Sequence, residues 1–232
     1  MKQPVSNNLS KAGILPKLVS ELSKLQQLAK SNNLAFDDAQ LKQMFGYVEL
    51  LLKWNRSFNL ISHGDQERIV SRHVAESVGL LIIAAPPPSC SVMDIGSGSG
   101  FPAVPIKILR PDLRLTLVES NGKKVSFLRN VGVSLSLHDY WVLDKRIENL
   151  SRDEIPAQLL VTARAVADLT SLWKWTSKFI PAGGRLLSIK GEDRNEIDLA
   201  AQAPDVLEIS TTPFPSWLNS EKSRFVISIV KK

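Results

Sequence analysis

Val92-Met93-Asp94-Ile95-Gly96-Ser97-Gly98-Ser99-Gly100-Phe101 is the stretch whose reading decides the fold of this chain. An apolar run closes on an acidic residue and gives way to a glycine-rich segment. The pattern predicts a buried strand, a tight turn and then a helix. Glycines belong in such a turn because the backbone must adopt φ > 0 and a ligand must approach it without meeting a Cβ. The helix that follows turns free N–H groups and a partial positive charge toward that ligand. A second apolar run, Leu113-Arg114-Leu115-Thr116-Leu117-Val118, ends on Glu119, 19 positions after Gly100. A nucleoside-binding Rossmann-like sheet places there the carboxylate that holds ribose hydroxyls.

The glycine spacing discriminates among nucleosides. A dinucleotide fingerprint, G-x-G-x-x-G, requires glycine at 101, and this chain has Phe101. The glycines run G-x-G-x-G instead, with Asp94 two residues before the first. That pattern resembles the first motif of S-adenosylmethionine-dependent methyltransferases. The bland alternative is a glycine-rich turn in some other α/β protein. Asp94, Glu119 and the strand context together favour the methyltransferase.

Outside this motif the chain divides in two. Residues 17–85 read as helical. Leu18, Leu22, Leu25 and Leu28 recur at helical spacing, and Asp37 to Gln40 form a capping box before Leu41, Met44, Phe45, Val48, Leu51 and Leu52. A third helix is expected from Asp65 to Ala85, where Pro86-Pro87-Pro88 stops it. Strands then alternate with helices, the signature of a doubly wound parallel sheet. Strands are expected near 91–95, 113–118, 138–143, 159–164, 184–189, 206–211 and 224–230. Helices are expected near 103–110, 122–131, 168–179 and 192–202. The fold class is therefore α/β, a Rossmann-like class I S-adenosylmethionine methyltransferase sheet with an N-terminal helical extension. The expected divisions are a flexible N-terminus over 1–16, the extension over 17–85 and the methyltransferase domain over 89–232.

Composition narrows the partners. A net charge of +6 and a pI near 9.5 fit a polyanionic partner such as nucleic acid, and fit solubility equally. One cysteine, Cys90, excludes an intrachain disulfide and a cysteine-cluster metal site. The longest apolar run, Val78 to Ala85, is far too short to span a bilayer, and residues 1–16 lack a signal-peptide pattern. A cytoplasmic monomer that needs no metal and no membrane is expected.

Methyl transfer from a sulfonium asks the protein mainly for alignment; classes differ in how the acceptor is made ready. Methylation at pyrimidine C5 needs a cysteine nucleophile. Cys90 lies before the glycine loop and reads better as a buried structural thiol. Exocyclic amine methylation commonly uses an Asp/Asn-Pro-Pro-aromatic motif after the fourth strand, where this chain has Leu160-Val161-Thr162-Ala163-Arg164-Ala165. A ring nitrogen with a free lone pair, such as guanine N7, needs no base. Arg164 then suits contact with cofactor, phosphate or guanine O6. Equally, Arg164 can be a strand-end arginine paired with a carboxylate such as Glu148.

At this point the chain resembles the bacterial small-subunit ribosomal RNA guanine-N7 methyltransferases, the glucose-inhibited division protein B family. The resemblance runs from about residue 40 to the C-terminus and rests on ordered blocks. They are Trp54-Asn55-Arg56-Ser57-Phe58-Asn59-Leu60-Ile61-Ser62, Arg72-His73-Val74-Ala75-Glu76-Ser77, the glycine loop through Pro102, and Glu119-Ser120-Asn121-Gly122-Lys123-Lys124. Phe127-Leu128, Arg146-Ile147-Glu148, Arg164-Ala165 and Ile189-Lys190-Gly191 complete the set. The resemblance implies S-adenosyl-L-methionine contacts at Gly96, Phe101, Ile147, Glu148 and Arg164, with Glu119 holding the ribose and Ile147 flanking the adenine; Asp94, Gly98 and Gly100 of the glycine motif complete the expected cofactor site. It implies a guanine of 16S ribosomal RNA as substrate, 7-methylguanosine as product, and naked RNA or the 30S subunit as partner. Glu76 and Ala103 depart from the family pattern, which has aspartate and glycine there.

Arg72, His73, Lys123, Lys124 and Arg129 are the candidate RNA contacts, and Arg164 the candidate catalytic residue. Lys123, Lys124 and Arg129 belong to the helix after Glu119, whose N-terminus prefers anions, so a phosphate partner would explain the cations there. Lys107, Arg110, Arg114, Arg68, Lys145 and Arg146 are candidates to extend the same basic face. A lone helical histidine more often packs or caps, and His73 is not read as catalytic. Asn55 and Asn59 are read as following a helix that ends near Trp54, as caps or turn formers or as substrate contacts. Trp54 and Phe58 read as core in preference to base-stacking platforms. The rivals are a small-molecule methyltransferase and a non-catalytic RNA-binding assembly factor on the same fold.

Overall fold

The structure is a computed structural model describing residues 14–191, 193–218 and 224–232. Residues 1–13, most of the expected flexible terminus, lie outside it, as does Glu192 in the expected helix 192–202. The first helix, α1 (Ile14–Lys30), begins inside the 1–16 stretch. α2 (Asp38–Phe58) starts on the capping box, with Asp37 accepting from the Gln40 N–H and the Gln40 side chain accepting from the Asp37 N–H. It runs four residues past Trp54, so Asn55 lies inside the helix and Asn59 closes it in the left-handed region at φ 47.

The expected helix from Asp65 to Ala85 is broken. A short α3 (His63–Gln66), a π-helical turn over Ile69–Val74 and α4 (Ala75–Ala84) take its place. Such a π-turn widens one turn and swings side chains out of helical register, and it is commonly found at functional sites.

Among the described residues seven strands follow: β1 (Ser91–Ile95), β2 (Arg114–Glu119), β3 (Tyr140–Asp144), β4 (Leu160–Arg164), β5 (Arg185–Lys190), β6 (Val206–Pro213) and β7 (Phe225–Lys231). The sheet order is β3-β2-β1-β4-β5-β7-β6, with β7 antiparallel to both neighbours and the remaining pairs parallel. The intervening helices are α5 (Ala103–Leu109), α6 (Gly122–Ser134), α7 (Leu169–Thr176) and α8 (Arg194–Ala201).

Strand residues alternate between two cores because side chains alternate across a strand. Val92, Leu115 and Leu117 join the cluster with Leu22, Tyr47, Leu51, Val78, Ile106 and Phe127. The N-terminal helices therefore bury their apolar faces in the same core as α5, α6 and one side of the sheet. Met93, Ile95, Val118, Val161 and Ala163 face Leu172, Trp173 and Ile147 on the other side. No α-helix links β3 to β4; a short 3-10 turn, Ile147–Asn149, and a loop do. A cleft of about 380 Å³ is left there, lined by Arg114, Trp141 and Gln158 among others, away from the glycine loop. Among the described residues no helix is long and apolar enough to cross a membrane.

Candidate cofactor and substrate site

The chain leaves β1 toward β2 on one side and returns to β4 on the other, so the carboxyl ends of β1 and β4 mark the switch point of the sheet. Open α/β sheets bind ligands in that crevice. The glycine loop leaves β1 there. Its first N–H groups keep to the β2 edge, with Gly96 and Ser97 both donating to the Val118 carbonyl at 2.8 and 3.3 Å. Gly96 sits at φ +61, and a Cβ there would stand 2.7 Å from Val166. Gly98 sits at φ +57, and the nearest atom to its missing Cβ is the Gly96 carbonyl oxygen at 3.7 Å. Gly98 therefore borders open space, a cradle that a side chain would fill and a ligand can use.

Glu119 closes one side of the loop. Its carboxylate accepts from the Gly98, Ser120 and Asn121 N–H groups, each at 2.8 Å. A carboxylate has about four acceptor sites, so three backbone donors leave room for a ribose hydroxyl. Asn121 then caps α6 by accepting from the Lys123 and Lys124 N–H groups. Ile147 is buried, whereas Glu148 beside it is exposed.

Asp94 is 1% exposed. One carboxylate oxygen accepts from the Thr162 hydroxyl at 2.6 Å on the neighbouring strand, and the other has no hydrogen-bond partner among the described residues. Burial pushes its pKa up to about 7, against the Thr162 and Ser97 hydrogen bonds. Tyr47, which the sequence reading passed over, donates from its hydroxyl to the Ser99 carbonyl at 2.6 Å and meets the Phe101 ring edge-on at 5.3 Å. It braces the loop from behind. Its signal was its place beside Met44, Val48 and Leu51 on the apolar face of α2.

Arg164 ends β4, and Ala165 after it is held in the left-handed region at φ 55, a strained conformation for a residue with a Cβ. The guanidinium pairs with Glu76 at 3.3 Å, not with Glu148, and Glu76 also pairs with Arg224 at 3.3 Å. Glu76 comes from the helix begun by the π-turn, and no spacing in the sequence pointed to it or to Arg224. His73 is 6% exposed and lies under this group, so its ring faces Arg164 and Phe101 instead of solvent.

The expected basic face divides. Lys123 and Arg129 are exposed and Lys124 half-buried on α6, with Lys124 beside the glycine loop. Arg110 and Arg114 lie at the opposite end of β2. Lys107 is only 2% exposed and donates to the Pro111 and Leu113 carbonyls, so it ties a loop instead of joining a surface. Arg72 pairs with Asp65 at 2.6 Å, Arg110 with Asp112 at 2.7 Å, and Lys145 with Glu154. Phe58, expected in the core, is 40% exposed at the end of α2. Trp54 is half-buried beneath it. Cys90 is buried ahead of β1, at the end of that strand away from the loop, and burial raises its thiol pKa.

A family model described as GidB, rRNA small subunit methyltransferase G, matches residues 40–224. A Roseiflexus sp. (strain RS-1) protein named ribosomal RNA small subunit methyltransferase G is 42% identical over 171 residues, 73% of this chain and 73% of that protein. A protein of the same name from Chloroflexus aggregans is 41% identical over 197 residues, 83% of this chain and 82% of that one. Among solved structures, precorrin-6y C5,15-methyltransferase from Geobacter metallireducens aligns with a TM-score of 0.51 at 15% identity, covering 76% of this chain and 92% of that one. That last likeness is one of fold alone.

Proposed function

Because the chain belongs to the rRNA small subunit methyltransferase G family, we propose that it methylates N7 of a guanine in 16S ribosomal RNA, using S-adenosyl-L-methionine. The observation that carries the reading is the meeting of the glycine loop, Glu119 and Arg164 at the switch point of the sheet. The cofactor supplies a methyl group already activated on a sulfonium.

The chain's own residues bind and align. Gly98 leaves backbone open to the cofactor, Gly96 and Gly100 let the loop pack against Val166 and Val104, and Glu119 takes the ribose. Ile147 offers the adenine an apolar surface, with Glu148 at its edge. Asp94 and Phe101 support the cofactor loop from within, and Arg164 stands beside them at the end of β4. Arg164 is a candidate catalytic residue in the sense that it can touch guanine O6 or a phosphate while N7 stays open to the methyl. No base is required for a ring nitrogen with a free lone pair. Cys90 is remote from the loop, which speaks against a covalent C5 mechanism, and β4 ends in arginine where exocyclic-amine enzymes carry their Pro-Pro motif.

Lys123, Lys124, Arg129 and Arg72 would contact the RNA, with His73 supporting Arg164 from beneath. In this reading residues 17–85 are the extension that holds Arg164 from outside the methyltransferase domain over 89–232. The enzyme acts in the cytoplasm as a monomer, without a metal, on naked RNA or the 30S subunit. The test is transfer of labelled methyl to ribosomal RNA and 30S subunits from cells lacking the gene, followed by nucleoside analysis. Labelled 7-methylguanosine is the expected product. Turnover of small acceptors with no label in RNA would move the assignment to a small-molecule methyltransferase.

A further inference from the structure

We propose that Phe58 is a stacking platform for an unpaired base of the RNA substrate, with Lys123 and Lys124 meeting the phosphates beside it. The inference rests on the RNA reading above and names the contact.

Phe58 is the last residue of α2 and is 40% exposed, while Met44, Tyr47, Val48 and Leu51 of the same helix are buried almost completely. The ring is braced from behind. Its centroid lies 5.2 Å from that of Trp54, tilted by 39°, and Trp54 in turn meets the buried Phe127 ring at 5.7 Å. The helix end is fixed as well, because the Asn55 side-chain oxygen accepts from the Ile61 N–H at 2.8 Å. A braced aromatic ring, partly exposed at the surface, is the result.

Cations adjoin it. Lys123 Nζ stands 5.9 Å from the Phe58 centroid, at the outer limit of a cation–π contact. Among the described residues neither Lys123 nor Lys124 has a carboxylate partner. Both occupy the first turn of α6, where the helix dipole disfavours positive charge, so helix stability does not account for them. Lys124 Nζ lies 4.0 Å from where a Gly98 Cβ would stand, which joins the strip to the glycine loop. Single-stranded nucleic acid is held by this combination, a cationic track with aromatic faces on which bases stack. Splayed single-stranded bases are also the usual form in which RNA sequence is read. An arriving base would displace a weakly held ammonium toward its own phosphate.

The experiment measures the affinity of 16S ribosomal RNA and of a single-stranded oligoribonucleotide for the unmodified protein and for Phe58→Trp, Phe58→Leu and Phe58→Ala. The S-adenosylmethionine Kd, the melting temperature and methyl transfer to the RNA are followed in parallel. Alanine and leucine are expected to weaken RNA binding roughly tenfold or more, and tryptophan to preserve it, with cofactor affinity unchanged. Lys123→Ala should flatten the slope of log K against log salt by about 0.7. The platform is overturned by an unmodified protein that binds neither RNA, by alanine binding as well as phenylalanine, or by leucine matching tryptophan. Phe58-dependent binding without methyl transfer would keep the platform and remove the methyltransferase reading. Methyl transfer indifferent to Phe58 would do the reverse.

Discussion

Nδ1 of His73 lies 2.7 Å from Nη1 of Arg164, although 91 residues separate them in the chain. A guanidinium has donors only, so the imidazole must accept at Nδ1 and carry its proton on Nε2. Nε2 stands 3.3 Å from Asp65 Oδ1. The Phe101 ring stacks on the His73 ring at 5.1 Å, and the Arg164 guanidinium lies 5.5 Å from the Phe101 centroid. The π-turn, the exit of the glycine loop and the end of β4 are thereby locked together.

His73→Leu should lower cofactor affinity about tenfold or more, because a hydrogen bond to a charged group is worth about 1.5–3 kcal/mol. His73→Gln, whose amide oxygen can accept from Arg164, should recover part of the loss. Calorimetric titration with S-adenosylmethionine checks both. Equal affinity in the leucine variant would remove His73 from the positioning of Arg164.

Two buried groups give opposite pH dependences. Burial, then the charge of Arg164, lower the His73 pKa to about 4 from its usual 6.5. The unfolded state therefore binds more protons between about 4 and 6.5, and this contribution to stability is lost as pH falls through that window. Asp94 is raised to about 7, chiefly by burial. Here the folded state holds the extra proton, and stability is lost as pH rises from about 4 to 7. Urea melts across pH 4–8 should show Asp94→Asn removing the decline at the neutral end and His73→Gln removing the decline at the acid end. Parallel curves for all three proteins would contradict both assignments.

Gly96 and Gly98 separate strain from space. Alanine at either position carries a left-handed penalty of about 1–2 kcal/mol. At Gly96 it also collides with Val166. Gly98→Ala should thus cost about 1 kcal/mol of stability yet weaken cofactor binding at least tenfold, and Gly96→Ala should cost more stability as well. Melts paired with cofactor titration decide it. A Gly98→Ala protein with unchanged affinity would show that the cradle is not used.

Glu119→Ala should damage the loop before any chemistry, since three backbone N–H groups lose their acceptor. A loss of about 1–3 kcal/mol per buried unsatisfied donor is the expected scale, less where water reaches them. Glu119→Gln keeps one acceptor oxygen and should melt between the two. Hydrogen exchange at Gly98 and Asn121 reads the effect directly.

The sheet was legible in the sequence because its signals are local. Each apolar run became a strand near its expected bounds, and the C-terminal strand runs antiparallel as a methyltransferase sheet would have it. The capping box at Asp37 and the switch-point glycines were equally local. What failed was long-range. The partner of Arg164 is Glu76 on another element, and no periodicity announces a strand-end arginine's carboxylate. Asp65 to Ala85 has continuous helical character, so the π-turn that delivers His73 leaves no mark in the pattern. Lys107 reads as surface charge until the Pro111 and Leu113 carbonyls are seen to surround it. Phe58 is apolar and at helical spacing from Trp54, and only the end of α2 puts it outside the core.

The measurement closest to the central claim is mapping of 7-methylguanosine along small-subunit ribosomal RNA by chemical cleavage at that nucleoside. RNA would be taken from cells lacking the gene, and from such cells supplied with the wild-type or the Arg164→Ala protein. One cleavage site, absent without the gene, restored by the wild type and not by Arg164→Ala, is the predicted result. An identical cleavage pattern in all three RNAs would contradict it.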